Sequence, residues 1–392
     1  MDRHFSNRIS NVPKSFIREI LKVGSDPAVI SFAGGLPNKD YFPVKELQAA
    51  ANLVFQKSGK EALQYTCSEG LLGLRHLISD HYKTKKQVSI DPENILMTTG
   101  SQQALDLIGK TFINEGDEIL IEEPGYLGAI QAFSLYQPNI NTVPLLEDGV
   151  DIVEFKKIIA EKKPKFFYTV PNFQNPSGLT YSEEKRKAVA EIIVANDMIL
   201  VEDDPYGDLR FEGTHKSLFK KLIPDNTIYL GSFSKIISPG LRVGWVAAAA
   251  KLMDRILVAK QASDLHSTFL SQMMIYEYLI ANDLDAHINK VCKVYNEQRL
   301  AMLAAIEEHF PKSVSVTKVE GGLFLWLTLP EGVAAKKLFE LAISQKVAFV
   351  PGDPFYVGKT NVNTFRLNFS CATKETIDIG IKRLGHVIGS NI

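Results

Sequence analysis

Short apolar runs and helix-like stretches alternate through the middle of the chain. Between about residues 95 and 250, ILMTT, EILIEE, FFYTV, MILVEDD and TIYLGSFS stand between segments whose apolar positions recur at helical spacing. A short solid apolar run suits a strand buried on both faces, whereas three-to-four spacing suits a helix lying over it. Their alternation predicts a mostly parallel sheet with helices on both faces, because parallel strands need crossovers and helices supply them. Ligands of such sheets gather beyond the carboxyl ends of the strands. The residues that follow the runs are unusually polar.

The pattern changes after residue 250. Leu252 to about His309 is rich in helix formers and lacks strand signals, which predicts a helix long enough to span two domains. Beyond it SVSVTK, GGLFLWLTL, VAFVPG and TFRLNFS read as strands, with helices at about 333–345 and 374–388, the content of a smaller α+β domain. The expected organisation is an N-terminal segment, 1–45, packing with the small domain; a large α/β domain, 46–285; and a small C-terminal domain, 286–392. A chain of 392 residues is long enough for this division.

Composition narrows the function classes. Hydrophobic residues at 45% and charged residues at 23% are ordinary for a globular enzyme and unlike a disordered chain. A net charge of −1, with both signs interspersed, gives no field to attract nucleic acid or an anionic membrane. Small molecules and a second copy of the chain are the expected partners. Cys67, Cys292 and Cys371 are far apart with no CxxC spacing, so neither a disulfide framework nor a zinc site is expected, and a reducing cytoplasm fits best. The first residues hold no apolar secretory core and no later run reaches a membrane span. GxxxxGK[ST] and HExxH are both missing.

Four strand ends carry candidate chemistry. GSFSKIISPGLRVGW supplies Ser232, Ser234, Lys235 and Arg242. Alone, Lys235 reads more readily as a surface lysine in a turn, but two hydroxyls and a guanidinium nearby make a cradle for a dianionic phosphate. EDDPYGD holds Asp203 and Tyr206 across a proline turn, where an acid also serves as a loop cap. PNFQNPSG supplies Asn175 in what is otherwise a plain turn. MTTGSQQALDLIG sets Ser101 and Gln102 at a helix start, a ready anion site or simply an N-cap.

Taken together, FAGGLPN, LQY, TGSQQALDL, EEPGY, VPNFQNPSG, VEDDPYGDL, SFSKIISPGLRVGW and TFRLNFS resemble the fold-type I, class I and II aminotransferases, in the branch of aminoadipate, kynurenine and multi-substrate enzymes. The resemblance runs from about Ile30 to the C-terminus and implies pyridoxal phosphate as cofactor, an aspartate-aminotransferase-like fold and a homodimer with shared active sites. It implies that Lys235 forms a Schiff base with the cofactor, that Asp203 pairs with the pyridine nitrogen, and that Asn175 and Tyr206 bond the ring 3-oxygen. Ser101, Gln102, Ser232, Ser234 and Arg242 would hold the phosphate, with Tyr65 reaching across from a second subunit, and Tyr126 would stack on the ring. Arg366 would grip the substrate α-carboxylate, with Gly34 and Gly35 lying against the substrate and Asn175 also contacting it.

The implied reaction is ping-pong transfer of an amino group between an L-amino acid and a 2-oxo acid, with glutamate and 2-oxoglutarate as one pair and 2-aminoadipate, an aromatic or a branched-chain amino acid as the other. Arg18 matches a position that contacts substrate side chains in some relatives, and reads equally as an exposed helix arginine. Tyr126 and Phe355 are candidates for an apolar wall. Two alternatives share these motifs: a pyridoxal-phosphate-dependent lyase or decarboxylase, and a non-catalytic effector-sensing domain of a transcription regulator.

Overall fold

The computed structural model describes residues 4–10, 20 and 26–392. Strand β1 (Ile30–Ser31) is followed by the eight strands of the large sheet: β2 (Ile95–Thr98), β3 (Glu118–Glu123), β4 (Asn139–Leu146), β5 (Gly149–Val150), β6 (Phe166–Thr169), β7 (Ile199–Asp203), β8 (Thr227–Ser232) and β9 (Gly244–Ala247). Their order is β2-β9-β8-β7-β6-β3-β4-β5, with β4, β3, β6, β7 and β8 paired in parallel. Adjacent residues send side chains to opposite faces. Phe166 and Val201 join one apolar cluster, and Phe167 and Leu200 join the other. Every residue of β2, β6, β8 and β9 is buried, which is why the first three read as solid apolar runs.

Two parts of this sheet departed from the expected pattern. β4 is mostly half-exposed, and its NINTVPLL sequence alternates too weakly to announce a strand. β9 runs antiparallel to both neighbours, because the chain reverses after β8 through residues 233–243 and returns beside it, with Gly231 opposite Trp245. A Cβ on Gly231 would collide with the Trp245 indole, so the two residues are fitted to each other.

The segment expected as one spanning helix is three: Ala250–Asp264, Phe269–Ala281 and Leu284–His309. Leu265 breaks the first with a φ of 63°, and Asp283 caps the third by accepting from the Ala286 amide at 3.0 Å. The last helix, about 39 Å long at ~1.5 Å per residue, leads into the small domain.

That domain contains β10 (Ser315–Val316), β11 (Phe324–Thr328), β12 (Val347–Ala348), β13 (Val350–Pro351) and β14 (Thr364–Asn368). β10, β11, β14 and β13 form an antiparallel sheet, and β12 pairs instead with β1. VAFVPG is thus divided at the buried Phe349 between two sheets. Helices Ala335–Ser344 and Lys374–Gly389 complete the domain. Among the described residues no helix is long and apolar enough to cross a membrane.

Candidate active site

The carboxyl ends of β6, β7 and β8 open onto a cavity of about 460 Å³ that the small domain closes with Phe355 and Arg366. Lys235 enters it three residues after β8, and its Nζ donates to the Gly35 carbonyl at 2.8 Å. The ammonium also lies 5.9 Å from the centre of the Tyr206 ring. Burial, followed by repulsion from Arg366, brings the Lys235 amine down to about 8. A neutral amine is therefore accessible near neutral pH.

Asp203 ends β7 and is 1% exposed. Its Oδ2 accepts from the Tyr168 hydroxyl at 2.7 Å, while Oδ1 is buried with no hydrogen-bond partner among the described residues. Burial raises the carboxyl to about 7 against the lowering effect of the Tyr168 bond; the charges of Asp204 and Glu122 push the same way as burial. An orphaned buried oxygen is costly in a folded chain unless a ligand completes it. Tyr206, three residues on, accepts from the Asn175 amide nitrogen at 3.4 Å, and burial pushes its phenol pKa up.

Asn175 also binds the arginine across the cavity. Arg366 on β14 donates through Nη1 to Asn175 Oδ1 at 2.6 Å and through Nη2 to the Ala33 carbonyl at 2.8 Å. Its guanidinium lies 4.2 Å from the centre of the Phe324 ring and 5.3 Å from that of Phe355. No carboxylate pairs with it among the described residues, and burial lowers its pKa to about 10. A buried guanidinium held by neutral groups is prepared to receive a carboxylate from outside.

At the other end of the cavity Ser232 Oγ donates to Ser234 Oγ at 2.8 Å and accepts from the Ser234 amide at 3.1 Å. Arg242, at a φ of 54°, donates through Nη2 to the Thr99 carbonyl at 3.1 Å. Gly100, with a φ of 73°, lies directly against this guanidinium, and a Cβ there would approach Nη2 to 2.6 Å. Glycine thus lets the turn before helix Ser101–Phe112 meet the arginine, while Ser101 and Gln102 line the cavity from that helix's first turn. Gln102 Nε2 donates to the Gly128 carbonyl at 3.1 Å. Tyr126 also lines the cavity, its phenol raised to about 12 mainly by burial.

The structure gathers Ser101, Gln102, Tyr126, Asn175, Asp203, Tyr206, Ser232, Ser234, Lys235, Arg242, Arg366, Gly35 and Phe355 around one cavity. Gly34 and Tyr65 do not line it. Gly34 is adjacent in the chain to Gly35, and Tyr65 is 79% exposed with its ring edge-on to His266 at 5.9 Å. Arg18 lies outside the described residues. Sequence reasoning missed Tyr168, which reads as one more large residue of a buried strand, and Phe324, which supports Arg366. Only the cross-strand arrangement reveals either.

The donor set fits pyridoxal phosphate. An amine, an unpartnered carboxylate oxygen on Asp203, and an arginine beside two serines and a helix start match its aldehyde, ring nitrogen and phosphate. Among the described residues no cluster of His, Cys, Asp and Glu is suited to a metal ion.

Comparison with known proteins points the same way. The model of the family described as aminotransferase class I and II matches residues 29–384. The chain is 42% identical to aromatic-amino-acid aminotransferase 1 of Thermococcus litoralis over 99% of this chain and 94% of that protein. It is 40% identical to 2-aminoadipate transaminase of Thermus thermophilus, over 98% of this chain and 96% of that one. The crystal structure of Pyrococcus horikoshii kynurenine aminotransferase, in complex with PMP and kynurenine, superposes with a TM-score of 0.95 at 40% identity, covering 100% of this chain and 98% of that one.

Proposed function

Because this chain belongs to the aminotransferase class I and II family, we propose that the cavity beside Lys235 is where its cofactor is held and its substrates exchange their amino groups. Its cofactor is pyridoxal phosphate, and its reaction is transamination between an amino acid and a 2-oxo acid. When bound, the cofactor supplies the electron sink that makes a substrate Cα–H bond acidic. Lys235 would hold the aldehyde carbon and, once released, carry the Cα proton on Nζ. Its pKa of about 8 keeps part of the amine neutral for that task.

Asp203 Oδ1 would hold the ring nitrogen, Asn175 and Tyr206 the ring oxygen, and Tyr126 the ring face. Ser101, Gln102, Ser232, Ser234 and Arg242 would hold the phosphate. Arg366 would bind the α-carboxylate through charge-assisted hydrogen bonds, exchanging its neutral partners for a charged one. Gly35, and Gly34 next to it, leave room for substrate beside that guanidinium. The observation that carries this reading is the convergence of Lys235 Nζ, the unpartnered Asp203 Oδ1 and the unpaired Arg366 on one cavity.

Tyr65, exposed on this chain, would complete the phosphate site of a second copy, which makes a homodimer the active form. The free cysteines suit a reducing cytoplasm. Leu36, Leu127 and Phe355 add apolar wall to the cavity, supporting a broad range of side chains. The substrates are then glutamate and 2-oxoglutarate as one pair, with 2-aminoadipate, aromatic or branched-chain amino acids as the other. Arg18 would meet the second carboxylate of acidic donors. The test is a panel of amino donors under single-turnover conditions, read by the visible absorbance of the bound cofactor. Glutamate, 2-aminoadipate, phenylalanine and leucine should each discharge it. Saturating 2-oxoglutarate that leaves the pyridoxamine form unchanged would contradict the proposed pair.

A further inference from the structure

We infer that Tyr168 is a positioning residue for the cofactor: its hydroxyl pins Asp203 through Oδ2, which leaves Oδ1 fixed and free to face the ring nitrogen of pyridoxal phosphate. The inference rests on the proposed role of Asp203. Tyr168 is held by packing on β6, 1% exposed, with its ring edge-on to the buried Phe133 at 5.7 Å. Phe133 is wedged in turn against Phe166 at 5.3 Å. The phenol oxygen is thus a fixed point. A carboxylate, by contrast, turns easily about its last torsion unless hydrogen bonds hold its plane.

Among the described residues Tyr168 is the one hydrogen-bond donor to the Asp203 carboxylate. The titratable groups facing that carboxylate are Asp204 on its own segment, Glu122 on β3, Tyr168 on β6, and the phenols of Tyr126 and Tyr206. Asp204, Glu122 and burial all favour the neutral acid; the Tyr168 bond opposes them. Tyr168 itself stays a donor, since burial and the nearby Asp203 charge hold its phenol well above its ordinary range. One hydroxyl therefore sets both the direction of the carboxylate and the negative charge it presents.

Tyr168→Phe keeps the packing and removes only that hydroxyl. With less negative charge opposite the ring nitrogen, the ring carries less positive charge and repels the proton on the Lys235–cofactor linkage less. That proton then persists to higher pH. The midpoint of the spectrophotometric pH titration of the holoenzyme should rise by about half a unit or more. Replacing Tyr168 with 3-fluorotyrosine makes a stronger donor of nearly the same shape and should move the midpoint the other way.

Midpoints that stay within about 0.1 unit of the parent in both proteins would overturn the inference, including where the melting temperature falls, because that is the mark of a packing role alone. Should the phenylalanine protein fail to fold, the fluorotyrosine protein decides the matter by itself. A parent holoenzyme with no proton-sensitive visible absorbance would instead overturn the Lys235 reading, and this inference with it.

Discussion

Three acids stand in succession at the end of β7, and the structure treats the outer two differently from the middle one. Glu202 accepts from the Phe219 amide at 3.0 Å and the Lys220 amide at 2.9 Å, with the buried Arg186 guanidinium 3.9 Å away. Asp204 accepts from Asn172 at 2.9 Å and from the Tyr229 hydroxyl at 3.2 Å. Arg186 binds Asn172 Oδ1 at 2.7 Å, which joins the two acids in one network. Asp203, also buried, keeps one oxygen without a partner among the described residues. A buried acid whose oxygens are all satisfied holds the fold together, whereas one left incomplete awaits a ligand.

Replacing the middle acid should produce the largest effect. Asp203→Asn keeps the shape and removes the charge proposed to face the ring nitrogen, and transamination should fall about 10³-fold, the equivalent of about 4 kcal/mol, in steady-state kcat/KM. The cofactor-free protein should respond in the opposite sense. A carboxyl raised from 3.8 to about 7 binds more protons folded than unfolded, so its contribution to stability falls as pH rises through that window. Cofactor-free Asp203→Asn should therefore be more stable than the parent by up to about 4 kcal/mol at pH 8, with the gain vanishing below pH 4, in denaturant titrations.

Breaking the satisfied network gives a smaller change of the other kind. Glu202→Ala leaves the Phe219 and Lys220 amides without their acceptor and the buried Arg186 without its ion-pair partner, and should cost about 3 kcal/mol of unfolding free energy. Activity per folded molecule should stay within about threefold of the parent. A Glu202→Ala protein of full stability and lost activity would erase the distinction between the two kinds of acid.

The same contrast explains what was legible in the sequence. Strands buried on both faces announce themselves as apolar runs, and the polar residues after them, such as Asp203, Asn175 and Lys235, stand out against that background. Residue types alone did not distinguish Asp203 from Glu202 and Asp204. That difference arises from strands and helices far apart in the chain, which bring amides to Glu202 and only a phenol to Asp203. β4 stayed hidden because its half-exposed surface removes the apolar signal. The antiparallel course of β9 stayed hidden because the reversal after Lys235 depends on turn geometry at Arg242. Arg366 was reached only through the resemblance, and its aromatic support from Phe324 needed the pairing of β11 with β14.

The central claim is that Lys235 holds the cofactor. Borohydride reduction of the holoenzyme followed by peptide mapping tests it directly. The peptide containing Lys235 should carry the mass of the reduced phosphopyridoxyl group. A label on another lysine, or none at all, would contradict the account.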